Sequence, residues 1–332
     1  MKMDTPPATV GRSCRATIAL LAASLWMVLT PTWSSAQASR LFGATGSNGV
    51  DGVLYSIDPS SGAATPIGPV TVGGLGVPIT GLAVHPSTGV LYAVTAASGN
   101  LPGMLLTISK TTGVATSIGS LGIVNKNCGD NAGIVGDISF TAGGVLLGAG
   151  PCGTSNNGNL YTIDLSTGAA TFVGAINHGT TRTGFGLSFL PLFRGPQQLF
   201  VFPEFVQSNM YQIDPANGAI LHTIALSGGI DDDAINAATT DVTGTRLLGV
   251  MSDRSSSPTT NSLVSVDPAT GVITTIGTLP GDMDSLALDV VTAPPIGAPL
   301  LSPFTGPGRG FLLCLLGLML LSGLWLVRRS VE

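Results

Sequence analysis

Residues 160–174 read LYTIDLSTGAATFVG. Nearly the same phrase stands at 54–68 as LYSIDPSSGAATPIG, and again at 263–277 as LVSVDPATGVITTIG. Two weaker copies lie between them, LLTISKTTG from 105 and MYQIDPANG from 210. The glycines that close the five phrases are Gly62, Gly113, Gly168, Gly218 and Gly271, spaced 51, 55, 50 and 53 residues apart. After each comes a second strand-like run, AATPIG, VATSIG, AATFVG or VITTIG, and the fourth copy, AILHTIAL, has drifted.

Two more elements recur in every period. One is a short apolar run opening on a small residue: GLAV from 81, GDISF from 136, GLSF from 186, AATTD from 237 and SLALDV from 285. The other is LYAV from 91, VLLGAG from 145, QLFVF from 198, RLLGV from 246 and the unpaired RLFGATG from 40. Each unit therefore holds four short runs rich in Val, Ile, Leu, Thr and Tyr, separated by turn residues, which is strand chemistry. No apolar pattern at helical spacing competes with it. A period of about 50 residues with four strands is the signature of a propeller blade. The expected fold is all-β, a five-bladed β-propeller of four-stranded antiparallel blades. An antiparallel sandwich has no reason to repeat one four-strand unit five times.

The aspartates Asp58, Asp164, Asp214 and Asp267 invite a metal or catalytic reading, but turn chemistry accounts for them better. An aspartate opening a turn accepts backbone N–H bonds, a following proline presets φ, and the glycine supplies the left-handed position. The second copy has Ser109 and Lys110 there and still keeps Gly113. A serine serves a turn; it is a poor substitute for a ligand carboxylate.

The wording resembles exported bacterial propellers of the NHL and YncE-like groups, whose blades run Gly-Ile-Ala-Val-Asp-Pro, then Leu-Tyr-Val, then a Tyr-x-Ile-Asp strand. That resemblance implies that GLAV is the inner, channel-lining strand, LYAV the second and the LYTIDL run the third. The chain then opens on a second strand, RLFGAT, and closes on an inner strand, SLALDV. One blade should be completed by both ends, a velcro closure. Tight turns, HPSTG at 85–89 and DVTGT at 241–245 among them, fall on one face. The variable connections fall on the other, where a function would reside.

The ends read differently. Lys2, Arg12 and Arg15, the apolar stretch 16–29 and the small residues Ala36 and Ala38 predict a signal peptide over 1–38. The propeller is expected over 39–292, followed by a Pro/Gly-rich linker at 293–310. The run FLLCLLGLMLLSGLWLV, 311–327, would make about 26 Å of helix and is expected to span a lipid bilayer. Arg328 and Arg329 then begin a basic cytoplasmic tail, 328–332. Pro299-Leu300-Leu301-Ser302 with Phe304 resembles a degenerate IPTL-type sorting signal. Together these imply an exported protein of the cell envelope, membrane-anchored, with its propeller in the periplasm or outside the cell.

The formal net charge is −5 and the expected propeller carries no basic cluster, which speaks against a nucleic-acid partner. Glycine, 46 of 332 residues, is about twice its ordinary share and marks turns. Cys128 and Cys152 fall on the variable face of one blade, and an oxidising compartment favours a disulfide over two free thiols. The other candidates on that face are Asp130, His178, Arg182, Asp231, Asp232, Asp233, Asp282 and Asp284. Calcium is the ion such oxygen-rich loops would take, although solvated acidic loops need none. His178 and Arg182 suit a base and an anion clamp, and equally ordinary surface chemistry. Asp137, Asp284 and Asp289 flank or lie in inner strands and are the carboxylates to test for glycosidase chemistry. With no local catalytic motif, the expected function is a non-catalytic binding or scaffold module without cofactor, contacting an extracytoplasmic protein or glycan. The alternative is a calcium-dependent hydrolase or lyase acting on polysaccharide.

Overall fold

The computed structural model describes residues 39–46, 50–123, 135–151, 158–179, 186–190, 197–203, 208–229, 234–253 and 260–290. In chain order the strands begin with β1 (Arg40–Thr45), β2 (Val53–Ile57) and β3 (Ala64–Pro69), followed by the short pair β4 (Thr71–Val72) and β5 (Leu75–Gly76). Blade 2 holds β6 (Ile79–Val84), β7 (Leu91–Thr95), β8 (Met104–Ile108) and β9 (Val114–Ser120). Blade 3 holds β10 (Asp137–Phe140), β11 (Leu146–Pro151), β12 (Gly158–Ile163) and β13 (Ala170–Ile176). Blade 4 holds β14 (Gly186–Leu190), β15 (Gln198–Phe202), β16 (Asn209–Ile213) and β17 (Ile220–Ala225). Blade 5 holds β18 (Ala234–Thr240), β19 (Leu247–Asp253), β20 (Thr260–Val266) and β21 (Ile273–Leu279), and β22 (Met283–Asp289) ends the series.

The remaining sheet, blade 1, has the order β22-β1-β2-β3. Arg40 pairs with Asp289 and Ala44 with Ser285, so the two ends of the propeller are zipped into one antiparallel sheet. The inner strands pack in a closed circuit, β22 on β6, β6 on β10, β10 on β14, β14 on β18, and β18 back on β22. The protein is a five-bladed β-propeller with velcro closure.

Among the described residues five hydrophobic clusters, one per blade interface, take the place of a single core. Leu54 of blade 1 packs with Leu82 and Leu106 of blade 2, and Leu105 of blade 2 with Ile138 and Phe140 of blade 3. Leu160 of blade 3 meets Leu187 of blade 4, Phe200 meets Ile235 of blade 5, and Leu263 meets Leu41 and Leu286 of the closing sheet. Neighbouring residues on a strand point to opposite faces, so Leu105 and Leu106 feed different interfaces. A blade covered on both sides cannot alternate apolar with polar, which is why these strands carry so few charges.

The repeated phrase sits where one blade meets the next. All five turn glycines have φ between +71° and +80°, a region open to glycine at no steric cost. Each N–H closes the turn on the residue four before it, from 2.8 Å for Gly62 to Asp58 O to 3.0 Å for Gly113 to Ser109 O. Each turn also lies against the outer strand of the preceding blade, near Gly277, Gly68, Gly119, Gly174 and Ala225 in turn. In four blades that outer-strand glycine follows a β-bulge. Leu54 pairs with Gly68 and Tyr55 with Pro66, leaving Ile67 as the extra residue; Ile118, Val173 and Ile276 are extra in the same way. The drifted fourth copy shifts its bulge to Leu221 and compensates downstream. Ser227 N donates to Gly271 O at 3.1 Å, and Ile273 N donates to Ser227 O at 2.7 Å.

Two expectations change. The connection at 69–78 contains the β4–β5 hairpin, and β4 runs parallel to β9, so blade 2 becomes a six-stranded sheet. Gly73 at φ +59° and Gly74 at φ +88° supply the two left-handed positions of a tight hairpin turn. The expectation of a transmembrane helix over 311–327 is also corrected, and with it the lipid-bilayer partner and the membrane-anchored envelope location. Among the described residues no helix is long and apolar enough to cross a membrane, and every described element is a strand. The segments 1–38, 293–310, 311–327 and 328–332, with the sorting-type motif at 299–304, lie outside the described residues.

Candidate functional site

Strand register defines one equivalent position on each inner strand: Gly81 opposite Val94, Asp137 opposite Ala149, Gly186 opposite Phe202, Ala237 opposite Val250 and Ser285 opposite Ala44. Four of these five residues are small because the strands crowd together at the ring's centre. A Cβ on Gly81 would stand 2.9 Å from Asp137 Cα, and one on Gly186 would stand 3.1 Å from the Ala237 carbonyl carbon. The fifth residue fills the space left by the others. Asp137 is fully buried; its Oδ1 accepts from Ile138 N at 2.9 Å, and its Oδ2 accepts from Leu187 N at 2.9 Å and Ala238 N at 3.0 Å. One carboxyl group thereby joins β10, β14 and β18.

Burial pushes the Asp137 carboxyl well above the usual carboxylate range, and the nearby Asp284 charge pushes the same way, while the three N–H bonds pull it down. One residue pair further along, Ser139 Oγ accepts from Phe189 N at 3.2 Å and Thr239 Oγ1 accepts from Leu288 N at 3.3 Å. Thr80 Oγ1 donates to Val135 O at 3.0 Å. Side chains of one inner strand therefore satisfy backbone groups of its neighbours, as buried polar groups require.

The three carboxylates singled out for glycosidase chemistry do not form a pair in an open cleft. Asp137 is sealed, and Asp284 stands half-buried at the start of β22. Asp289 ends the same strand, where Lys110 Nζ binds its Oδ2 at 2.7 Å. Asp282 occupies the turn before β22, exposed and at φ +58°. His178 follows β13 and is buried; its N–H donates to Ile176 O at 3.1 Å, and its carbonyl accepts from the Tyr211 hydroxyl at 3.5 Å. Desolvation lowers its pKa to about 4, so the imidazole is neutral at neutral pH. Cys128, Asp130, Cys152, Arg182, Asp231, Asp232 and Asp233 lie outside the described residues.

The aspartates of the repeat are occupied with their turns. Asp58 Oδ1 accepts from Ser60 N at 2.8 Å, Asp164 Oδ1 from Ser166 N at 2.8 Å, Asp214 Oδ1 from Ala216 N at 2.9 Å and Asp267 Oδ1 from Ala269 N at 2.9 Å. The Ser166 and Thr167 donors hold the Asp164 carboxyl down at about 2. Among the described residues no group of three or more His, Cys, Asp or Glu side chains is placed to hold a metal ion.

No family model matches the sequence, and no curated protein matches it. Among solved structures the chain is similar to Kuenenia stuttgartiensis hydrazine synthase, with TM-score 0.38 and 16% identity over 67% of this chain and 59% of that one. It is also similar to a protein from Lactobacillus plantarum, with TM-score 0.39 and 13% identity over 74% of this chain and 68% of that one. The chain thus spans well under two thirds of the hydrazine synthase chain. The fold assignment rests on the sheet pairing itself, and neither likeness bears on function.

Proposed function

We propose that the protein is a non-catalytic binding or scaffold propeller that meets a protein or glycan partner through the connections between its blades. The observation that carries this reading is the commitment of its inner-strand and turn carboxyl groups to the fold. Asp137 is sealed by three backbone amides, Asp289 is held by Lys110, and the repeat aspartates bind their own turns. A retaining or inverting glycosidase of the usual kind uses two carboxyl groups facing one substrate bond about 5–9.5 Å apart, and these groups face the protein instead. The tight-turn ends of the blades are uniform, whereas the opposite connections differ in length and composition, as recognition loops on a rigid scaffold do.

A glycan and protein array probed with the full chain, run beside a polysaccharide-turnover assay with calcium, tests the reading. Binding without turnover, weakened by Asp282→Lys and unchanged by Val145→Lys in a tight turn, is the expected result. Polysaccharide shortening that disappears in Asp284→Asn would overturn it.

A further inference from the structure

We propose that the backbone amides converging at the centre of the ring form a binding site for a carboxyl group, and that Asp137 is its built-in ligand. Ile138, Leu187 and Ala238 are the residues that follow the equivalent positions on β10, β14 and β18. Their N–H groups all end on one carboxyl, at 2.9, 2.9 and 3.0 Å. These amides lie on the inner edges of strands whose other edges are paired within the blade, so the propeller geometry itself aims them at the centre. Successive backbone N–H groups pointing into one concavity make an anion nest. Here the nest is assembled from three separate blades rather than from one loop.

Its occupant comes from the chain because the equivalent positions leave room for it. Gly81, Gly186, Ala237 and Ser285 carry at most one heavy side-chain atom beyond Cβ, and Asp137 and Ser285 are both fully buried. Leaving the amides without an acceptor strands buried donors, which costs more than a surface hydrogen bond is worth. The carboxyl therefore acts as a tie across non-neighbouring blades, β10 and β18 included. The site recognises the carboxyl group and a short stem, so a small monocarboxylate would replace the side chain once it is removed.

Size-matched chemical rescue tests this with the full chain. Asp137→Gly removes a group the size of acetate, and Asp137→Ala leaves a space the size of formate. Each variant is expected to lose several degrees of melting temperature. At pH 5, sodium acetate should raise the melting temperature of Asp137→Gly in a saturable way, as a ligand bound only by the folded state must. Formate should do the same for Asp137→Ala and acetate should do less, while sodium chloride at equal ionic strength should do neither. If a variant does not fold unaided, its refolding yield from urea with and without the matched acid gives the same readout. Asp137→Asn places an amide N–H against an N–H donor and should also melt below the wild type. Rescue no better than that from chloride, or an Asp137→Asn protein as stable as the wild type, would overturn the proposal.

Discussion

The carbonyl oxygen of Thr167 occupies the space that a side chain on Gly119 would need. Gly119 ends the VATSIG run of blade 2, and Thr167 belongs to the STG turn of blade 3, so the two halves of the repeated phrase touch across an interface. Asn217 stands against Gly174 and Ser61 against Gly277 in the same way. The recurring Ile-Gly or Val-Gly is therefore a packing requirement between blades, and the phrase repeats because four of the five interfaces are built from both halves.

Gly119→Ala should accordingly destabilise the protein by about 1–3 kcal/mol, the ordinary cost of forcing atoms into a filled site. Gly143→Ala is the control, because the nearest atom to its added methyl is Thr141 Oγ1 at 3.8 Å. Urea midpoints of the two variants should separate clearly, and equal midpoints would remove the packing argument.

Lys110 departs from the turn pattern and has gained a partner in another blade. It reaches Asp289 at the end of the closing strand and lies 5.8 Å from the Phe42 ring centre. Both side chains of the ion pair keep some exposure, so solvent screens it and the coupling should stay at or below about 1 kcal/mol. A double-mutant cycle with Lys110→Met and Asp289→Asn measures that coupling, and it should shrink with added salt.

The closure makes a larger demand. A chain beginning after Gly46 lacks β1, which pairs with both β22 and β2. The closing blade would then lose its continuity, and because each core is shared between blades, the loss should spread around the ring. The expected outcome is a large fall in melting temperature for the whole propeller, seen as one transition.

Much of this architecture was legible in the sequence, because period, strand count and turn chemistry are local properties. The five turn glycines and the split closing blade follow from residues near one another in the chain or from a simple count. The β4–β5 hairpin was not legible, since two-residue strands leave no alternation to read. The role of Gly119, Gly174 and Gly277 was visible only as an unexplained ending of each phrase, because its cause lies in the next blade. Asp137 stood out as an acidic residue in an apolar strand, which suggested chemistry. Its amide partner at residue 138 is local, but those at 187 and 238 lie 50 and 101 residues away, and only the ring brings them to it.

Asp137 and His178 give the protein two opposed dependences on pH. The folded-state pKa of Asp137 is raised by burial. Its contribution is therefore fully present below the unfolded carboxylate value of about 3.9 and is lost as pH rises through the folded value. His178 behaves the other way. Burial lowers its pKa from 6.5 to about 4, so the folded state binds fewer protons than the unfolded state between those values, and stability falls as pH drops through that window. The His178 ring proton resonances should titrate with a midpoint near 4. Urea midpoints taken from pH 7 down to pH 4 should fall less steeply in His178→Gln than in the wild type. In Asp137→Asn, the decline with rising pH above about 4 should be absent. A His178 midpoint near 6.5 would mean that the imidazole is solvated rather than packed behind Tyr211.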